Sequence, residues 1–191
     1  LEPYVQELAR VNDATLIRNE RPGNYPYPGF ESMYFLEVDN VPGFDRVTGY
    51  PHARSLRNGT NMMKVLEDNV VARGIEVRFS TSAERLISDG DGSVIGLWTQ
   101  NEETGAVSVA ASRGVILACG GFEANAEMQR QFWQLNPVMT AAFRGNTGDG
   151  IRMAQDVGAD LWHMWHFHGS YGFRHPDPAF PFGIRTKRLP D

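Results

Sequence analysis

The sequence predicts an α/β fold that contains an inserted antiparallel β-meander. A helical pattern over residues 58–73 precedes a block of short β segments over residues 75–111. An apolar run, Val115–Ala118, follows the block, and the chain then reaches Gly120 and Gly121. Such a run is typical of a buried strand in an α/β sheet. Ligands bind at the carboxyl ends of these strands, where glycine allows close backbone approach, so the run also indicates a ligand site.

The first 51 residues carry weaker patterns. We predict an amphipathic helix within residues 4–18 from its apolar spacing, and a short strand over Met33–Val38. The proline- and glycine-containing stretches at residues 21–29 and 40–51 are predicted to be loops or turns. The next helix, Asn58–Arg73, takes Asn58 or Thr60 as its cap and stops at Gly74.

The β block predicts four strands. They are Ile75–Phe79, Ala83–Ser88, Val94–Thr99 and Ala106–Ala111, and the last three form the meander. A turn at Asp89–Gly92 joins the first two strands of the meander.

Two further helices are predicted after the glycines. Asn125 caps a helix that runs to Trp133, and the Asn146–Gly150 turn opens a helix over Ile151–Val157. A glycine-rich turn at a helix N-terminus offers unpaired N–H donors to an electron-rich ligand. Taken alone, the turn favours a simple helix cap; together with Gly120-Gly121 it favours a ligand.

Composition excludes several classes of protein. The chain has 191 residues, a hydrophobic share of 41% and a net charge of -5, which is ordinary for a globular protein and unfavourable for nucleic-acid binding. No run predicts a membrane span. The single cysteine, Cys119, is expected to be a small buried residue in a cytoplasmic protein. The chain begins without Met and ends in a segment without helix or strand pattern, so we expect a piece of a longer polypeptide.

Three histidines, His163, His166 and His168, lie among aromatic residues near the end of the chain. Histidines this close together can share a metal. Since no cysteine accompanies them and aromatic neighbours suit a flat ring better than a hydrated ion, we predict no metal site.

The ordered motifs resemble the flavoprotein subunit family of succinate dehydrogenase and fumarate reductase, and most of all its single-chain members such as tricarballylate dehydrogenase. The resemblance covers residues 58–168. It is carried by the Gly92-Ser93-Val94-Ile95-Gly96 hairpin, by Arg113–Phe122, by Arg144–Ala154 and by Met164–His168. It implies a partial flavin-binding domain with a Rossmann-like sheet, in which the N-terminal βαβ unit is missing from this chain.

The resemblance also implies the roles of individual residues. His168 corresponds to a ligand of a substrate carboxylate. The residues expected to contact FAD are Ala83, Ala118, Cys119, Gly120, Gly121, Asn146, Thr147, Gly148 and Asp149. Cys119 stands where the family usually has Thr, and Gly169-Ser170-Tyr171 replaces the usual Pro-Thr-Gly. The family's catalytic acid would lie beyond Asp191, so no catalytic residue is assigned.

The implied function is a hydride exchange between FAD and a small di- or tricarboxylate. We expect residues 1–160 to be the middle of the FAD-binding domain and residues 161–191 to begin the capping domain. Self-association is expected through surface exposed by truncation. Two alternatives stay open: a 3-ketosteroid dehydrogenase-like flavoprotein, and a segment that has no cofactor or activity of its own.

Overall fold

The computed structural model describes residues 1–19, 28–29, 34–51, 57–140, 143–166, 172–177 and 183–185. The chain divides into two compact units, Leu1–Arg78 and Phe79–Asp191. We call them unit 1 and unit 2. The expected domain boundary near residue 160 stays a prediction.

The described residues of unit 1 form three helices and two strands. They are α1 (Glu2–Ala9), β1 (Thr15–Asn19), β2 (Phe35–Asn40), α2 (Arg46–Gly49) and α3 (Arg57–Ala72), and a 3-10 turn (Arg10–Asn12) follows α1. The two strands pair antiparallel. Helix α3 packs on β2, and four buried side chains form the core: Leu8, Val38, Val41 and Val65.

The predicted helix over residues 4–18 is too long. Helix α1 ends at Ala9, Asp13 adopts a left-handed φ of 54°, and Leu16 and Ile17 lie in β1. The pairing of β1 with β2 outweighs a weak helical pattern because it satisfies the backbone of both strands.

Helix α3 confirms the second predicted helix, although it begins at Arg57. Asn58 and Thr60 therefore lie inside the helix, and the prediction that one of them is its cap is wrong. Gly74, with φ 62°, ends the helix as predicted; its N–H donates to the carbonyl of Val71 at 3.0 Å.

The predicted strand Ile75–Phe79 is not a strand in the structure. No strand among the described residues pairs with it, and Ile75, Val77 and Phe79 are 54%, 52% and 80% exposed. The apolar residues of this segment alternate as they do in a strand, but a strand also requires a neighbouring strand with which it forms hydrogen bonds.

Unit 2 begins with the predicted meander. The strands β3 (Thr81–Ser88), β4 (Val94–Asn101) and β5 (Gly105–Ala110) pair antiparallel in sequence order. The turn at Asp89 is tied by its carboxylate, which accepts from the N–H groups of Asp91 and Ser93 at 3.0 and 2.9 Å. The β3–β4 register shifts between Ala83 and Arg85.

The remaining elements of unit 2 are α4 (Ala126–Phe132), α5 (Asp149–Asp156), β6 (Gly172–Arg174) and β7 (Gly183–Arg185). The short β6–β7 pair was not predicted. A second core contains the buried side chains of Phe122, Met128 and Trp133, against which Ile151 and Met164 pack. The sheets of the described residues are all antiparallel; the fold is mixed α/β with the predicted meander, and the Rossmann-like sheet implied by the resemblance is not formed within the described part.

The predicted strand Val115–Ala118 is also wrong. These residues belong to no helix or strand in the described part of the chain, and Ile116 is 93% exposed. An apolar run forms a buried strand only between neighbours that pair with it and cover both its faces.

Candidate functional site

Two loops of unit 2 lie against each other. We call residues 119–125 the glycine loop and residues 145–150 the α5 loop. The N–H of Gly148 donates to the carbonyl of Gly121 at 3.0 Å, and the N–H of Ala124 donates to the carbonyl of Asn146 at 3.0 Å. The structure thus brings together most of the residues predicted to contact a cofactor.

Asn125 joins the two loops and caps α4. Its Oδ1 accepts from the N–H groups of Glu127 and Met128 at 3.0 and 3.1 Å, which confirms the predicted cap. Its Nδ2 donates to the carbonyl of Thr147 at 2.9 Å. One side chain therefore couples the start of a helix to the α5 loop.

The glycines in these loops make room for side chains of the chain itself. A Cβ on Gly120 would lie 2.8 Å from Asn146 Cγ, and one on Gly150 would lie 2.5 Å from Cys119 Sγ. At Gly148 it would meet the sulfur of Met128. The sequence predicted that these glycines allow a ligand to approach the backbone closely. In the structure, they allow the two loops to pack closely together.

The α5 loop nevertheless presents free donors. Gly148, with φ 87°, precedes α5 without a side-chain cap, and the first helical bond runs from Arg152 N–H to the Gly148 carbonyl at 3.0 Å. The N–H groups of Asp149, Gly150 and Ile151 donate to no acceptor within the described residues. Three unpaired donors at a helix N-terminus fit the oxygen-rich part of a nucleotide cofactor.

Asp149 is exposed at this helix end. One carboxylate oxygen accepts from the hydroxyl of Thr147 at 2.7 Å, and the other lies 3.7 Å from Arg152 Nη1. Both partners leave lone pairs of the carboxylate free to accept a ligand hydroxyl. The predicted site residues Thr147, Gly148 and Asp149 thus lie within one turn.

The other predicted residues are placed less compactly. Ala118 and Gly120 are exposed in the glycine loop region, and Ala83 is exposed on β3, against which α5 lies. Cys119 is a free thiol and is exposed, so the expectation that it is buried is wrong. The reason is the missing strand pairing of the segment before it.

Two of the three histidines, His163 and His166, lie within the described residues. His163 lies between Trp162 and Trp165, with ring centroids 4.6 and 4.8 Å away, and it has a left-handed φ of 54°. His166 is exposed, and His168, the predicted substrate ligand, lies outside the described residues. Within the described part of the chain, no group of three potential metal ligands occurs.

Sequence reasoning missed two residues that hold the site together. Glu123 accepts from the Asn146 side chain, and the buried Gln129 donates to the carbonyls of Glu123 and Val138 at 2.7 and 2.9 Å. Neither residue carries a motif. The structure shows that Gln129, next to Met128 in α4, is buried, but no sequence signal indicated its contacts.

Comparison with known proteins identifies the family of this mixed α/β chain. The sequence profile of the family described as "FAD binding domain" matches residues 30–170. The chain belongs to this FAD binding domain family.

Relatives with assigned activities are oxidoreductases. Urocanate reductase of Eggerthella lenta is 35% identical over 97 residues, which are 48% of this chain and 16% of that protein. NADH:fumarate oxidoreductase of Klebsiella pneumoniae is 32% identical over 102 residues, 53% of this chain and 11% of that protein. This chain therefore matches less than a fifth of the length of either relative.

A solved structure supports the fold. The 3-ketosteroid delta1-dehydrogenase from Sterolibacterium denitrificans, in complex with 1,4-androstadiene-3,17-dione, superposes with a TM-score of 0.60 at 27% identity, over 71% of this chain and 26% of that one. The described part of this chain contains no helix long and apolar enough to cross a membrane.

Proposed function

We propose that this chain is the middle of the FAD-binding domain of a longer cytoplasmic oxidoreductase that acts on a small di- or tricarboxylate. One observation carries the proposal. In a chain of the FAD binding domain family, the α5 loop presents three free N–H donors beside the exposed carboxylate of Asp149.

The described residues fit FAD. The donors of Asp149, Gly150 and Ile151 would bind cofactor oxygens, and the Asp149 carboxylate would accept from a hydroxyl. Ala83, Ala118 and the glycine-loop residues Cys119, Gly120 and Gly121 would line the cofactor, as would Asn146, Thr147 and Gly148. When bound, FAD supplies the hydride exchange with the substrate.

The sequence and the names of the relatives support this substrate class. Histidine and arginine side chains suit a carboxylate, and His168, Arg144 and Arg152 are the candidates. Two relatives are named for urocanate and for fumarate, which are both unsaturated carboxylates. Such groups would orient the substrate and draw electron density toward its carboxylate.

A 3-ketosteroid is the second candidate. The ketosteroid dehydrogenase structure covers 71% of this chain. In addition, Trp162 and Trp165 are 80% and 50% exposed, which offers the apolar surface that a steroid ring system needs. The same exposed apolar residues support self-association of the isolated chain, which light scattering of a concentrated solution tests.

Flavin bleaching distinguishes the two substrate classes. The longer flavoprotein that contains this chain is mixed without oxygen with succinate, tricarballylate or a 3-ketosteroid, and the visible flavin absorbance is followed. We expect bleaching by a carboxylate and none by the steroid. Bleaching by the steroid alone would exclude the carboxylate proposal.

A further inference from the structure

Glu123 lies between the glycine loop and the α5 loop. Its Oε1 accepts from Asn146 Nδ2 at 2.5 Å, and its Oε2 lies 2.7 Å from where a Cβ on Gly121 would be. Its main-chain carbonyl accepts from Gln129, which is only 4% exposed, at 2.7 Å. Both the backbone and the carboxylate of Glu123 are therefore fixed.

The hydrogen bond from Asn146 to the Glu123 carboxylate holds Asn146 beside Gly120. A Cβ on Gly120 would meet the Asn146 amide, and the Asn146 carbonyl accepts from Ala124 N–H at 3.0 Å. Two residues later, Gly148 N–H donates to the Gly121 carbonyl. Asn146 is thus anchored by its side chain and its backbone immediately before the turn that starts α5.

Glu123 has the right chemistry for an anchor. A carboxylate acceptor makes a charge-assisted bond to the amide, which is stronger than a bond between neutral groups. The carboxylate is only half-buried, so solvent reaches the remaining lone pairs and no further protein donor is needed. Glutamine at this position keeps one acceptor oxygen, whereas alanine removes it.

We infer that Glu123 is a positioning residue of the cofactor site: it fixes Asn146 against Gly120 and thereby holds the α5 loop in the conformation that presents the free N–H donors of Asp149, Gly150 and Ile151. The identity of the ligand rests on the proposed function. The anchoring of the loop does not.

Amide hydrogen exchange in the 191-residue chain tests the anchoring without FAD. The variants are Glu123→Ala, Glu123→Gln and, as a matched control, Glu127→Ala, which removes an exposed glutamate of α4. In Glu123→Ala, the N–H groups of Ala124 and Gly148 should exchange about tenfold faster, because one charge-assisted bond is lost. Glu123→Gln should restore part of the protection, and amides of β4 should keep their rates in every variant.

A second arm measures FAD affinity by quenching of flavin fluorescence. Glu123→Ala should weaken the dissociation constant about tenfold, in line with the same lost bond, and Glu127→Ala should leave it unchanged. Unaltered exchange at Ala124 and Gly148, or equal acceleration in β4, overturns the inference. If neither the wild-type chain nor any variant binds FAD, the proposed function fails for this chain. The exchange rates still show whether Glu123 anchors the α5 loop.

Discussion

Unit 1 and unit 2 both use amide side chains that donate to backbone carbonyls, but these side chains connect different kinds of elements. In unit 1, the buried Asn61 and Asn69 donate to backbone carbonyls, for example Asn69 Nδ2 to Leu8 at 2.8 Å, and they tie α3 to its neighbours. In unit 2, Gln129 donates to the carbonyls of Glu123 and Val138, and Asn125 donates to the carbonyl of Thr147 in the α5 loop. Both units also contain ion pairs, and unit 2 adds close glycine contacts between its loops.

These amide side chains serve different purposes in the two units. The amide side chains of Asn61 and Asn69 in unit 1 hold α3 in place beside a core of aliphatic side chains. The amides of unit 2 hold two loops in place while the first-turn donors of α5 stay free within the described residues. The charge-assisted bond from Asn146 to the Glu123 carboxylate joins the two loops in addition to these amides.

Removing the buried amide of unit 2 should have the largest effect. Gln129→Ala leaves the carbonyls of Glu123 and Val138 and the N–H of Val138 without their partner, at a cost of about 2–4 kcal/mol. All four tryptophans, Trp98, Trp133, Trp162 and Trp165, lie in unit 2, so urea unfolding followed by tryptophan fluorescence reports on this unit.

The control for this prediction is Gln131→Ala, which changes an exposed glutamine of the same helix and should shift stability by less than about 0.5 kcal/mol. Equal midpoints for the two variants would mean that the Gln129 ties contribute nothing to unit 2.

A smaller effect separates the two roles of Asn125. Asn125→Asp keeps the cap acceptor but loses the donor to the Thr147 carbonyl, so it should cost about 1 kcal/mol. Asn125→Ala loses the cap as well and should cost about 1 kcal/mol more. The same fluorescence titration measures both, and a fully stable Asp variant would show that the bond to Thr147 is dispensable.

Acid should act on unit 1 through its ion pairs. Hydrogen bonds from Arg18 and Tyr34 lower the pKa of Glu2. At Asp68, burial raises the pKa, but the bonds from Lys64 and Asn12 outweigh it, so the pKa is lowered. A lowered pKa in the folded state means that the unfolded chain binds more protons; this stability is present above the ordinary carboxyl pKa and is lost as the pH falls through the folded value.

Asp68→Asn isolates one of these groups. The variant loses the ion pair with Lys64, worth about 0.3–0.5 kcal/mol, and should show less acid sensitivity than the wild type. Mass-spectrometric hydrogen exchange of peptides from residues 1–78, measured from pH 6 downward with correction for intrinsic rates, reports on it. Identical pH profiles of the two proteins would contradict the assignment.

The sequence predicted local elements better than distant pairings. The meander and the Asn125 cap are confirmed because their determinants, a tight turn and a polar side chain, lie within a few residues. The strand β1 was missed because its partner, β2, follows it by about 20 residues of chain. Val115–Ala118 has the composition of a strand, but composition does not supply a partner.

The candidate site was predictable only in part. Gly148 and Asp149 are recognisable as a glycine-rich turn before a helix, and the structure places them so. The contacts of Glu123 with Asn146, across 23 residues of chain, depend on how two loops meet. For the same reason the sequence could not reveal that Asn146 and Met128, rather than a ligand, fill the space beside Gly120 and Gly148.

The most direct test of the central claim is a titration of the ¹⁵N-labelled 191-residue chain with FAD, followed by two-dimensional NMR. We expect saturable shifts of the Asp149, Gly150 and Ile151 amides, with smaller shifts at Gly120 and Gly121. Saturable shifts confined to unit 1, or no shifts at any of these amides at high FAD concentration, would contradict the central claim.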